Sequence, residues 1–353
     1  KIIRFSDKKF IKETVSKKSF LYKKMKYHQN FSLKNIFNEN DIKNINYNGV
    51  SINTKKIKKN NLFFAIRGKN TDGHIFVKEA INKGAIKSVV SKKIKKISKN
   101  KIIKVKNTLT ALNNLGRITR ENSAAQIVGI TGSVGKTTLK NLIGFSLKKY
   151  GKVHQSPHSY NNKIGVPLSL SNLKSNTDYG IFEIGMDKKG EINSLSKIVK
   201  PEIGVITNIA GAHFKNFDTL KDIARAKAEI IDNISEGGSI ILNRDNKFFD
   251  FLFKKAKKNK INITSFSLKK RTDIFLLGVQ KIKNYFRLKI KVKNKIFHFY
   301  TKYSTKNFIA NILACISVLH TLNLNLSKIK KTFVGFKIPE GRGDIKVIKK
   351  FNK

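Results

Sequence analysis

The chain has 353 residues, 40% of them hydrophobic, and its 74 Lys and Arg against 22 Asp and Glu give a formal net charge of +52. That length and apolar content exclude a disordered chain and suggest two or three domains with ample core, and no apolar run approaches the roughly 20 residues of a membrane span. The positive charge is spread along the whole chain, with no Trp and no basic–aromatic cluster, which argues for anionic small ligands and salt sensitivity rather than for a specific nucleic-acid role.

The first Met is Met25, so residues 1–24 read as an upstream extension, and no role is assigned to 1–31. The opening KIIRFSDKKF has no long apolar segment, so no signal peptide is visible. With Cys315 alone no internal disulfide can form, which fits a reducing compartment and a cytoplasmic location. Its setting in ILACISVL reads as a buried core thiol. Abundant Lys, Asn and Ile share A/T-rich codons, so compositional bias is a sufficient cause of the charge.

Residues 32–100 read as a small α/β domain. Leu33, Ile36 and Phe37 have helical spacing, with Ser32 as a cap. Val50–Ile52, Leu62–Ile66 and Ser88–Val90 read as strands, Phe76–Lys83 as a helix, and the basic run Lys92–Lys99 as a solvated connection between domains. Residues 101–337 read as a larger α/β domain. Strands at Ile102–Val105, Ile127–Ile130, Gly180–Ile184, Ile203–Thr207 and Ser239–Leu242 alternate with helices. Near-continuous apolar strands of this kind form a mostly parallel sheet covered on both faces. Residues 274–303 alternate apolar and polar, as antiparallel strands with one solvated face, and Phe308–Leu322 is helical. Past Pro339 the pattern breaks, leaving one short strand, Ile345–Ile348.

The centre of the chain is QIVGITGSVGKTTLK, Gln126 to Lys140. An apolar strand runs into Gly132-Ser133-Val134-Gly135, and Lys136-Thr137-Thr138 open a helix that reads as amphipathic, with Leu139, Leu142, Ile143 and Leu147 apolar. This is strand, phosphate loop, helix. Glycines let backbone N–H groups face a phosphate, the helix N-terminus adds positive potential, Lys136 reaches the outer phosphates, and the Thr137 hydroxyl suits Mg²⁺. The strict GxxxxGK[ST] pattern misses by one position, because Ile130 stands where its first Gly belongs. An ordinary glycine-rich turn is the competing account.

Four further clusters carry polar residues into this frame: HSYNNKIGVP from His158, FEIGM with Glu183 inside an apolar strand, NIAGAH ending at His213, and AKAEI with Lys227 and Glu229. Ligands of open α/β sheets bind past the carboxyl ends of the strands, which places Asn208, His213 and Asn243 near the loop. Glu183 as a structural ion-pair partner, His213 as a surface histidine, and Asn208 and Asp245 as turn formers remain open.

These stretches, in this order, resemble the Mur ligases of peptidoglycan synthesis. TGSVGKTT fits the family's variant of the loop, and YNNKIGVPLSL, FEIGMDKKGEI, TNIAGAHFKNF, AKAEI and LNRDN are similar to the branch that adds a dipeptide. The resemblance covers about residues 32–353. It implies an ATP-dependent carbon–nitrogen ligase with ATP and Mg²⁺, which phosphorylates a carboxylate and lets an amine attack the acyl phosphate. The substrates implied are a UDP-N-acetylmuramoyl-tripeptide and D-Ala-D-Ala. Gly132, Ser133, Val134, Gly135, Lys136, Thr137 and Thr138 would hold the phosphates, Thr137 and Glu183 one Mg²⁺, and His213 a second. Lys227 matches a lysine that is carbamylated in related ligases. Asn161 and Asn162 would face the substrate, Asn311 the adenine, and Arg342 the phosphates from a domain junction.

NLFFAIRGKNTDGHIFV is similar to the N-terminal domain that holds the UDP-sugar, where Thr54 keeps a hydroxyl in Asn53-Thr54-Lys55. The resemblance therefore divides the chain into a UDP-sugar-binding domain at 32–100, a central ATP-binding ligase domain at 101–337, and the start of a nearly absent C-terminal domain at 338–353. A chain lacking that domain is expected to bind nucleotide and ligate poorly. A monomer is expected. The alternatives are a sister ligase adding the third amino acid or glutamating folate, a basic nucleic-acid-associated ATPase, and an inactive nucleotide-binding fragment.

Overall fold

In the computed structural model of the chain, the described residues are Phe37, 46–68, 70–211 and 216–339. The expected helix at 32–37 (Phe37 apart), the site residues His213 and Arg342, and the strand at 345–348 lie outside them. The chain forms two compact units. Among the described residues no helix is long and apolar enough to cross a membrane.

The first unit is built on a four-stranded parallel sheet, β1 (Gly49–Ser51), β2 (Asn61–Phe64), β3 (Ala85–Val90) and β4 (Ile102–Lys104), in that spatial order. Helices α1 (Val77–Asn82) and α2 (Thr108–Glu121) belong to it. Phe63, Ala65, Val77, Ala80, Ala85 and Val90 form a core under β2 and β3, and each large apolar side chain removed from water contributes about 1.5–3 kcal/mol.

Here the structure corrects the expected division at residue 100. β4 pairs with β3, Ser88 opposite Ile102, and α2 is tied to the same sheet through Thr108 Oγ1, which donates to the Ala65 carbonyl at 3.0 Å. Lys92–Lys99 is therefore a crossover within the first unit. The unit extends to Ala124 and also takes Pro167–Ser175. Asn172 holds that last segment by two hydrogen bonds to the backbone of Val50, at 2.9 and 3.0 Å.

The second unit has a nine-stranded sheet. Its strands are β5 (Gln126–Thr131), β6 (Val153–Gln155), β7 (Tyr179–Glu183), β8 (Ile203–Ile206), β9 (Ser239–Asn243), β10 (Asn262–Ser267), β11 (Ile274–Ile282), β12 (Tyr285–Val292) and β13 (Lys295–Thr301). The order is β13-β12-β11-β10-β9-β8-β5-β7-β6, parallel except for the β11-β12-β13 meander. That meander alternates as expected: Leu288, Ile290 and Val292 are buried while Lys289 is exposed.

Between the strands lie α3 (Lys136–Leu147), α4 (Gly165–Ser171), α5 (Glu191–Val199), α6 (Leu220–Ala228), α7 (Phe249–Lys258) and α8 (Lys306–Thr321). The division between units passes through α4. α3 is not amphipathic in its setting. Thr137, Thr138, Leu139, Lys140, Leu142, Ile143, Gly144, Ser146 and Leu147 are all buried, because α8 covers the side that a surface helix would show to water. Cys315 on α8 is fully buried against Ser146, and burial pushes its thiol up to about 12.

Chain order around β5 positions the site. β6 and β7 lie to one side of β5, while β8, β9 and β10 continue on the other. The loops leaving β5 and β8 therefore meet at a switch in winding direction, where open α/β sheets bind ligands.

Candidate active site

β5 ends in Thr131, and the chain turns through Gly132 at φ +146° and Gly135 at φ +88° into α3. Both angles are ones that side-chain-bearing residues rarely adopt. Space adds to this: a Cβ on Gly132 would overlap Thr207 Oγ1, and one on Gly135 would sit tightly, 3.0 Å from Asn311 Oδ1. Asn311, expected on the adenine side, is thus packed over the last glycine of the loop.

The β8 end braces the other side. Thr207 Oγ1 donates to the Val134 carbonyl at 2.6 Å, Ser133 N–H to the Asn208 carbonyl at 2.8 Å, and Ser133 Oγ to the Ala210 carbonyl at 2.8 Å. Lys136 curls over the loop, its Nζ 2.7 Å from the Gly132 carbonyl. Val134 stands exposed at the loop's tip, and Thr138 is buried in the first turn of α3.

Glu183, at the end of β7, is 2% exposed. Thr137 Oγ1 donates to its Oε2 and Asn161 Nδ2 to its Oε1, each at 2.8 Å. Lys140 Nζ lies 3.8 Å from Oε2, so the structure adds an ion-pair partner to the carboxylate expected as a metal ligand. Ser159 Oγ approaches Thr137 Oγ1 at 3.4 Å.

Asn161 and Asn162, expected as a substrate-facing pair, do different work. Asn161 reaches Glu183. Asn162 Oδ1 accepts from Ile164 and Gly165 N–H at 3.1 and 2.9 Å, capping α4, a use that Asn three residues before a helix advertises. Glu229 spans Gly190 N–H and Asn193 N–H at 2.9 Å each, closing the start of α5. Asp245 accepts from Ser267 Oγ and Leu268 N–H at 2.7 and 2.6 Å, so its carboxylate ties the turn after β9 to the end of β10, while Asn243 Oδ1 closes the turn itself. In the first unit, Thr54 opens a short 3₁₀ turn whose cap is Asn53, and its hydroxyl binds Glu79.

Lys227, on α6, is 2% exposed. Burial, and then the neighbouring charge of Lys136, lower its pKa from 10.5 to about 7. A lysine with a depressed folded pKa binds fewer protons folded than unfolded between those values. Stability therefore rises with pH from 7 to 10.5 and loses this contribution below pH 7. In CO₂-free buffer, Lys227→Met is expected to be more stable at pH 7 by on the order of 3 kcal/mol, with the advantage shrinking toward pH 10. Urea denaturation across pH checks this, and a pH-independent difference would contradict it.

Oxygen donors of this kind suit Mg²⁺, a hard cation that keeps waters and borrows phosphate oxygens. The Thr137 hydroxyl and Glu183 carboxylate already face each other, and Thr131 Oγ1, just before the loop, is buried with no hydrogen-bond partner. No group of three His, Cys, Asp or Glu gathers among the described residues, so phosphate and water would complete the set.

Residues 130–319 match the Mur ligase middle domain, and residues 46–120 match the Mur ligase family catalytic domain. The UDP-N-acetylmuramoyl-tripeptide–D-alanyl-D-alanine ligase of Rickettsia prowazekii is 34% identical over 302 residues, covering 85% of this chain and 67% of its own length. MurF from Acinetobacter baumannii superposes with a TM-score of 0.78 at 25% identity, over 88% of this chain and 68% of that one. MurF from Thermotoga maritima, solved in complex with ADP, gives 0.73 at 27% identity, over 85% and 69%. The chain thus spans about two thirds of the length of such relatives. A phosphate loop braced at the winding switch, a buried hydroxyl–carboxylate pair beside it, and these matches together establish that the chain belongs to the Mur ligase family of ATP-dependent, Mg²⁺-using amide ligases.

Proposed function

We propose that the chain joins D-alanyl-D-alanine to a UDP-N-acetylmuramoyl-tripeptide through an acyl phosphate, in the cytoplasm. The observation that carries this reading is the wiring of Asn161 to Glu183. The loop that marks the dipeptide-adding branch is bonded to the carboxylate expected at the metal, so substrate-side and phosphate-side residues share one network. The Rickettsia relative bears the name of this activity, and the ADP-bound Thermotoga structure supports the nucleotide.

In this reading, loop amides from Gly132 to Thr138 and the Lys136 ammonium stabilise charge on the transferring phosphoryl group. Thr137 and Glu183 hold Mg²⁺, which neutralises phosphate charge when bound. His213 and Lys227 serve a second cation. The neutral amine favoured at Lys227 is the form that adds CO₂, as a carbamylated lysine requires. Thr54 in the first unit is the hydroxyl offered to the uridine moiety, and Arg342 is offered to the phosphates.

The test is ADP release with UDP-N-acetylmuramoyl-tripeptide and ATP, with and without D-Ala-D-Ala, and mass detection of the pentapeptide product. A product formed instead from the UDP-dipeptide and a free third amino acid would assign the chain to the sister ligase. Dependence on neither peptide would remove the ligase reading.

A further inference from the structure

Lys140 belongs to neither the phosphate-binding pattern nor the metal set, yet it stands at the centre of both. It sits one helical turn beyond Lys136 on α3, with its side chain 1% exposed. Its Nζ donates to the Ser156 carbonyl at 2.8 Å and to the His158 carbonyl, and lies 3.8 Å from Glu183 Oε2. His158 turns through φ +44°. The same loop returns through Ser159 to Thr137 and through Asn161 to Glu183.

A buried ammonium and a buried carboxylate each carry a large desolvation penalty, which only close pairing offsets. Glu183 is thus electrically balanced with no metal present. A divalent cation arriving at Thr137 and Glu183 meets a positive charge already in place, and must share the carboxylate with it.

We propose that Lys140 is a positioning residue that stands in for the metal. In the metal-free protein it balances Glu183 and clamps loop 156–162 to the phosphate-loop helix. By its charge it weakens the hold on Mg²⁺ alone, so that the cation binds firmly only when nucleotide phosphates add their own negative charge. The charge balance stands on geometry alone, whereas the effect on Mg²⁺ rests on the metal role of Thr137 and Glu183.

Thermal unfolding and backbone hydrogen exchange of the full chain test both parts. Without Mg²⁺, Lys140→Met is expected to lower the melting temperature by roughly 10 °C and to speed amide exchange across 156–162. Adding Glu183→Gln to it should recover part of that loss, since no unpaired charge then remains. Mg²⁺ without nucleotide should raise the melting temperature of Lys140→Met at several-fold lower concentration than in the parent. If Lys140→Met does not fold, Lys140→Gln, which keeps a donor but not the charge, and the double variant carry the same comparisons. A merely structural lysine would leave the Mg²⁺ response unchanged, and equal responses in parent and variant overturn the proposal, as does a double variant less stable than Lys140→Met. No response to Mg²⁺ with ADP in either protein would overturn instead the metal role of Thr137 and Glu183.

Discussion

Lys136→Ala is expected to reduce the rate of phosphoryl transfer by about 10²–10³-fold or more, with little change in stability. Removing one preorganised donor from a developing oxyanion has an effect of that size, because charge stabilisation is most of what a protein supplies to this chemistry. Stability should hold because Lys136 is only half-buried and its ammonium rests on carbonyls of its own loop, at 2.7 Å from Gly132 and 3.5 Å from Ser133. The glycine turn is fixed independently, by Thr207 just beyond β8 and by Ser133, which bonds the Asn208 and Ala210 carbonyls. ADP binding by calorimetry and single-turnover ATP cleavage separate affinity from chemistry. A second consequence tests the same arrangement: the pKa of Lys227 should rise, since the charge of Lys136 helps to depress it. Unchanged ligase or ATPase kinetics would remove Lys136 from the phosphate site.

The strand–glycine turn–helix at 126–147 was legible from sequence because its signals are local. Glycine at positive φ, Lys and Thr at the helix start, and a β-branched strand before them each answer to a backbone or ligand need within a dozen residues. Glu183 was legible because a carboxylate inside an apolar strand has to be buried, and burial demands partners. The identity of those partners was not. Asn161 and Lys140 reach it across 22 and 43 residues of chain, and such spacing leaves no periodic trace.

The domain division failed for the same reason. Strand–helix alternation looks alike on either side of residue 100, and only the pairing of Ser88 with Ile102 decides which sheet β4 joins. The return of Pro167–Ser175 to the first unit is still less visible, because it depends on Asn172 finding Val50. Asn162 is the opposite case: its role as a helix cap could have been read, since Asn before Gly165 with helical pattern following is a start signal. Glu229 stands beside Lys227 in sequence, yet its carboxylate serves the N-terminus of α5, and the residues it binds lie 36 and 39 positions earlier.

Glu183→Gln should raise the Mg²⁺ concentration for half-maximal activity by about tenfold or more, the scale on which metal sites respond even to loss of an outer partner. The argument begins with what the carboxylate does before metal binds. It accepts from Thr137 and Asn161 on separate oxygens and faces Lys140. Gln can still accept from Asn161 through Oε1 and donate through Nε2 to the Thr137 hydroxyl, which then reverses its role, but it carries no charge, and Lys140 loses its counter-ion. The fold itself should persist, because β7 is held on both sides by β5 and β6. What is lost is the negative charge that a hard cation needs beside the phosphates. Activity should therefore return in large part at high Mg²⁺, with nucleotide affinity in the absence of metal little altered. Titrating Mg²⁺ at saturating ATP distinguishes the cases. Activity lost at every Mg²⁺ concentration, with the half-saturation point unmoved, would mean that Glu183 serves the site through Lys140 and Asn161 alone and does not touch the metal.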